Sequence, residues 1–285
     1  MKQIFAAFLG QFLTNIFSKK TVASLMLMFG ALYVALSPMN NAADYYGLRI
    51  NIGVISYVIT GVFVCPVIFL SAIIIFSGLP VKNPPQHFVI ARSGKVKWIF
   101  AQFLYVFVMS IIIVLLIIVF TCVICGGRIS FSGTWGKLEN AVASGQIPYE
   151  FGINTAIGKN SLIDYSPSQA FWWTIIGAGV TFMIFGWVSI VFNLFIYEFT
   201  GTVINAVVLL LQMAAGYFPS NFLFHISPIA WCSVDIVDKH GTSLAPDISY
   251  VLLLRGLIVS ALIIGAFAGS YKGSRIIEKL ERKYV

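Results

Sequence analysis

The side chains able to do acid–base, nucleophilic or metal chemistry are few and scattered. The chain holds three histidines, His87, His225 and His240, and four cysteines, Cys65, Cys122, Cys125 and Cys232. Each histidine falls in a different polar stretch. The sequence has no H-E-x-x-H pair, G-x-S-x-G elbow or aspartyl pair, which are the patterns of common hydrolytic and metalloenzyme sites. Cys122 and Cys125 form a C-x-x-C in "FTCVICGG", but a zinc or redox site needs partner ligands or a βαβ setting. The pair therefore reads as two small residues near a helix end. Gly94-Lys95 and Gly158-Lys159 do not make a phosphate loop, because Val89 and Ile153 stand where its first glycine belongs. The expectation is a chain that is not an enzyme, with no catalytic residue, no metal ligand and no cofactor of its own.

The elements carrying these residues are mostly lipid-soluble. Of 285 residues, 59% are hydrophobic and 10% charged, against about 25% charged in ordinary soluble domains. A soluble globular class is excluded. Apolar runs cover 21–37, 52–78, 98–125, 170–197, 202–218 and 250–271, near the roughly 20 residues that cross a bilayer. The stretch 170–218 is too long for one crossing and must fold back at "YEFTGT", 197–202, where Glu198 is the only charge and Gly201 can relax the turn. Pro66 predicts a kink in the second span. The fold class is thus an all-α integral membrane protein with six transmembrane helices in one domain, 1–285.

Charge sorts by loop. With the N-terminus inside, the inner segments hold Lys2, Lys19, Lys20, Lys82, Arg92, Lys95, Lys97, Lys272, Arg275, Lys279, Arg282 and Lys283. The outer side holds Arg49, Arg128, Lys137, Lys159, Lys239 and Arg255, together with most of the acids. The positive-inside rule then places both termini in the cytoplasm. The net charge of +8 is accounted for by this sorting, and no aromatic-basic platform suggests nucleic acid. Residues 1–18 pair apolar positions against a stripe of Gln3, Gln11, Thr14, Asn15 and Ser18, as in an interfacial elbow helix on membrane lipids. They also resemble the start of a signal peptide, with "VALS" and "NNAAD" as weak cleavage sites, but so elaborate an amphipathic helix favours an uncleaved first span.

Two outer segments exceed short turns. Residues 126–169 are polar and Gly/Ser-rich. Residues 219–249 are too greasy for a free loop and too broken by proline for a span, so a re-entrant or interfacial hairpin between helices 5 and 6 is expected. Inside, loop 79–97 contains "NPPQHFVIARSGKVKW". Pro84 and Pro85 end the preceding helix, Gln86, His87, Phe88, Val89 and Ile90 can form a short helix with apolar residues to bury, and Arg92 can pair. A topology signal explains the basic residues but not "HFVI", which suits docking of a partner. Within the spans the ionisable residues reduce to Arg255 and, at a turn, Glu198. Arg255 reads as an interface anchor or as the ion-pair partner of Asp235, Asp238 or Asp247, and Glu198 as a solvated turn residue or a gating salt bridge. Gly265, Gly269 and Gly273, spaced G-x-x-x-G-x-x-x-G, and Gly179 with Gly186 mark close helix packing.

This layout resembles the permease subunits of ABC transporters of the type-2 exporter class, the ABC-2 superfamily. The resemblance rests on "MKQIFAAFLGQFLTNIF" as an elbow helix, "QHFVIARSGKVKW" as the loop after span two, and "YFPSNFLFHISPIAW" as the broken outer segment before the last span. It implies that loop 79–97 is a coupling helix seated on a separate ABC ATPase, which holds the ATP and Mg. It further implies two permease subunits, identical or different, in a bacterial plasma membrane, exporting cargo. The charge-poor spans suit a hydrophobic or amphipathic cargo such as a peptide, antimicrobial or lipid-like compound. Two other readings stay open: an immunity or sensor protein acting through its outer segments, and an ion-coupled carrier. The 126–169 segment is longer than a minimal member of the family would carry.

Overall fold

The computed structural model describes residues 2–80, 94–153, 155–218, 221–241 and 243–272. Most of the candidate coupling loop, 81–93, lies outside them, as do Gly273 and the basic C-terminal stretch.

The chain is an all-α membrane protein, with four helices long and apolar enough to cross a bilayer: α2 (Lys19–Tyr46), α5 (Lys95–Cys125), α8 (Pro167–Phe195) and α11 (Ile248–Lys272). A fifth crossing is supplied if α3 (Ile55–Thr60) and α4 (Val64–Phe76) count as one span, but their axes are bent by 80°. The apolar helix α9 (Thr200–Tyr217) is shorter. Ahead of them lies α1 (Lys2–Ile16). The outer segments add α6 (Lys137–Ala143), α7 (Lys159–Asp164) and α10 (Asn221–Ile226).

Local chemistry sets the boundaries. Ser18 caps α2, its Oγ accepting from Thr21 N. The helix then runs past the expected end at 37, through Pro38, until Gly47 takes a left-handed conformation at φ 62° and Leu48 N donates back to Ala43 O. Helix α8 starts at Pro167 because Ser166 and Gln169 form a reciprocal capping box. The second span breaks at 61–63 instead of kinking at Pro66. Pro66 can neither donate to the carbonyl of Val62 nor let the helix pass it, so it sits in the first turn of α4, where its missing N–H has no cost. At the α8–α9 turn, Phe199 adopts the left-handed region (φ 71°), not Gly201. Gly201 matters for packing, since a Cβ there would stand 2.5 Å from Ser189 Cα.

Helix α8 is the centre of the bundle. Of its most apolar stretch 72% is buried, against 28%, 33% and 22% for α2, α5 and α11. An all-round apolar helix belongs inside, and α8 touches α3, α4, α5, α9 and α11. Helix α1 packs along α5. Its polar stripe is partly turned inward, where Gln11 Nε2 donates to Gln102 Oε1 at 2.7 Å, while Phe5, Leu13 and Phe17 are exposed. The C-terminal ends of α2 and α5 are zipped by a short parallel ladder, β1 (Ile50–Asn51) with β2 (Ile129–Ser130).

Candidate functional site

Two clusters of polar contacts stand out in the apolar bundle, one at each end.

At the end away from loop 79–97, labelled outer after the charge sorting of the sequence, the segment after α9 folds back into the bundle. Thr174 Oγ1 donates to Cys232 O at 2.8 Å, and Thr181 Oγ1 shares its proton between Gly177 O and Pro228 O, 2.9 and 3.1 Å away. Thr181 is 14 residues into α8, about 21 Å from its outer end and close to its midpoint. Non-helical backbone at such depth needs protein partners for its carbonyls, and the two threonines supply them. Trp231, 1% exposed, seals the hairpin, with Nε1 donating to Phe224 O. Arg255 of α11 lies against this hairpin and is 7% exposed. Nη2 is 3.6 Å from Cys232 Sγ, and the guanidinium carbon is 6.0 Å from the centre of the Trp173 ring. Among the described residues no carboxylate lies in ion-pair range of it, Asp235, Asp238 and Asp247 included.

Those acids serve the cap above. Tyr57 OH donates to Ser161 Oγ at 3.0 Å, and Ser161 in turn donates to Asp235. Burial pushes the Asp235 carboxyl above the usual carboxylate range, although the hydroxyl of Ser161 and the backbone N–H of Gly158 pull the other way. Asp238 is exposed and accepts the backbone N–H groups of His240, Gly241 and Ser243 at 2.6–3.0 Å. These donors, with the Ser243 hydroxyl, hold it far below the usual range. Residues 126–169 are tied to the bundle by Glu139, 0% exposed, whose Oε1 accepts from Asn51 N at 2.6 Å. Burial raises its carboxyl too, against the pull of the Asn51 N–H. Asn51 also donates to Ser132 and Thr134 carbonyls, and Trp135 Nε1 to Tyr165 O. The two outer segments meet where Tyr165 OH donates to Val237 O and Lys239 Nζ to Asp164 O.

At the opposite end, labelled inner by the same sorting, the contacts surround the root of loop 79–97. Asn193 Nδ2 donates to Leu79 O at 2.6 Å while its Oδ1 accepts from Gly201 N at 2.8 Å. Lys20 Nζ donates to Ser77 O at 2.6 Å. The exit of α4 is thereby tied to α2, α8 and α9 at once. Glu198 lines a small hollow here with Gly78, Leu79, Pro80, Asn193 and Phe199. Trp98, at the start of α5, is buried at 5% exposed and does not form part of a lipid-facing belt.

Comparison with protein-family models, with curated proteins and with solved structures gives no match. The reading of this chain therefore rests on its own residues.

Six residues singled out in the sequence, Gln86, His87, Phe88, Val89, Ile90 and Arg92, lie outside the described residues; only the two roots of their loop are seen. Arg255 and Glu198 are placed at opposite ends of the bundle. Gly265 is in ordinary contact with α8, 3.6 Å from Val191 for a Cβ, whereas Gly186 meets Val106 at 2.4 Å. The close approaches are thus on α8 and at Gly201. The surroundings of Gly269 are not described. All four cysteines are unpaired, and among the described residues no three of His, Cys, Asp and Glu gather as a metal site. Sequence reasoning missed Asn193, Glu139, Asn51, Thr174 and Thr181. The available signal was a lone amide or hydroxyl inside an otherwise apolar run, which must find a partner once buried.

Proposed function

We propose that this chain is the membrane subunit of an ATP-driven exporter of the ABC-2 type. In this reading it has six spans with both termini inside a bacterial plasma membrane, and it works as a pair of permease subunits with two separate ATPases docked on loops 79–97. The observation that carries the reading is the triple clamp at the root of that loop. Asn193 and Lys20 tie Ser77 and Leu79 to α2, α8 and α9, so a push on the loop is delivered to several helices together. An ATPase closing beneath the membrane needs such a lever, since rigid-body rocking of helices is how a bundle alternates access.

Two apolar spaces support a hydrophobic or amphipathic cargo such as a peptide, an antimicrobial or a lipid-like compound. One, of about 220 Å³, lies between α5, α8 and α11 and is lined by Phe100, Phe103, Trp187 and Phe267 among others. Another, of about 280 Å³, lies at the α3–α4 bend under Thr155 of the cap. Charge in these walls would favour a polar cargo, and they carry none.

The test is to express the protein in its native host, purify it under mild detergent and identify co-purifying ATPases. Phe88→Asp and Arg92→Glu should remove the ATPase while insertion is unchanged. Normal transport and normal ATPase capture by both variants would refute the docking assignment. The folded cap built from 126–169 favours one competing reading, an immunity or sensor protein acting from outside. Under that reading, disrupting the cap abolishes function whereas losing the ATPase has no effect.

A further inference from the structure

A buried cation without a counter-charge calls for one. Arg255 is more than nine-tenths buried, faces no carboxylate among the described residues, and its Nε has no hydrogen-bond partner. Its Nη2 makes only a long contact to Cys232 Sγ, a weak acceptor. A second buried donor beside it, Trp173 Nε1, is also without a partner. Native interiors rarely leave such groups unsatisfied, and a missing ion or ligand is one standard reason.

The surroundings are built for the guanidinium. Gly177 on α8 faces it so closely that a Cβ would be 3.0 Å from Nη2, so the position leaves no slack for a larger residue. The re-entrant hairpin, held by Thr174 and Thr181, supplies the Cys232 wall. The Trp173 ring supplies another. Three separate elements therefore converge on one arginine, about 10 Å along α11 from its outer end.

Elsewhere the same molecule shows what the side-on fork of an arginine takes. Arg128 uses Nε and Nη2 together to hold both carboxylate oxygens of Asp44. The corresponding edge of Arg255 holds only the sulfur. Two parallel N–H donors fit a planar carboxylate better than a spherical ion.

We infer that Arg255, walled by Trp173 and Cys232, binds the carboxylate of a small molecule reaching the bundle from its outer half. The site does not depend on the permease reading, since it needs neither an ATPase nor transport.

The test uses the full-length protein in lipid nanodiscs. Its melting temperature is followed while acetate or benzoate replaces chloride at constant ionic strength. A bound ligand stabilises the fold in proportion to ln(1 + [L]/Kd), so the wild type should show a saturable rise with carboxylate over chloride. Arg255→Met should abolish that rise. Arg255→Lys keeps the charge but loses the fork, and its apparent affinity should fall about tenfold or more. Carboxylate-specific stabilisation that is equal in wild type and both variants would overturn the site. So would its absence from the wild type, a result also expected if an acid of a second copy fills the fork. Where one variant fails to fold, the other carries the comparison, and a wild type without the rise overturns the site by itself.

Discussion

The outer and inner ends of this bundle solve the same problem in different ways. At the outer end, irregular backbone is packed deep among the helices, and several of its polar groups are matched by partners from a distant part of the chain. Asn51 and Glu139 are 88 residues apart, Ser161 and Asp235 are 74, and Thr181 and Pro228 are 47. At the inner end, among the described residues, a few contacts gather at the exit of α4. One end is cross-braced, and the other holds the clamped root of loop 79–97. In the proposed exporter this division would put stiffness where the cargo leaves and a handle where force is applied.

The sharpest way to break the comparison is at the turn joining α8 and α9. Gly201→Val should push α9 off Ser189, where even a Cβ has no room, and cost about 3 kcal/mol or more by overpacking. A chemical-denaturation or heating series in detergent reads this, and a loss under 1 kcal/mol would mean that α8 and α9 are not in contact. Next in size is Asn193→Ala. It leaves Leu79 O and Gly201 N without partners at a buried site, each unpaired group costing about 1–3 kcal/mol. The account expects lowered stability and raised protease cleavage within 79–97; unchanged cleavage would show that the root is not clamped there.

The cap answers to pH. Glu139 and Asp235 both have carboxyls raised by burial, so folding of the cap takes up protons. Their contribution is complete below the ordinary carboxylate range, about pH 4, and fades as pH rises through the raised values. Thermal melts should therefore show the cap weakening from about pH 4 toward neutrality, with Glu139→Gln flattening the trend and Glu139→Ala lowering stability at every pH. Asp238, held low by its N–H donors, acts in the opposite sense and weakens the cap only in stronger acid. A melting point that rises steadily from pH 4 to 7 would contradict the assignment. The smallest effect belongs to Asp44→Ala. Its pairing with Arg128 is solvent-exposed, and such pairs contribute about 0–1 kcal/mol.

The same contrast explains what the sequence could tell. Helices α2, α5, α8 and α11 are legible because length and apolarity alone mark them, and the deep proline-broken segment before α11 was visible as too greasy for a loop. Charge sorting made the inner loops stand out. The bend of the second span was legible as a proline effect, although the break falls ahead of Pro66 and not at it. The cap was not legible. Its stability rests on pairings across 70–90 residues between side chains that look unremarkable one by one, such as Glu139, Asn51 and Ser161. The inner clamp was not legible for a related reason: charges mark a loop in a sequence, whereas the residue that ties the helices together is a neutral amide, Asn193. Arg255 stands out in the sequence, but its position deep against the hairpin, away from every acid among the described residues, depends on how that hairpin folds back.

The central claim is that force enters through loop 79–97, and the most direct measurement is site-specific photo-crosslinking. A photoreactive residue placed at Phe88 in the full-length protein should capture an ABC-type ATPase in native membranes. The same probe at Phe131, exposed on the outer cap, should not. Crosslinks from Phe88 to lipid or to this chain alone, with the ATPase absent, would contradict the account.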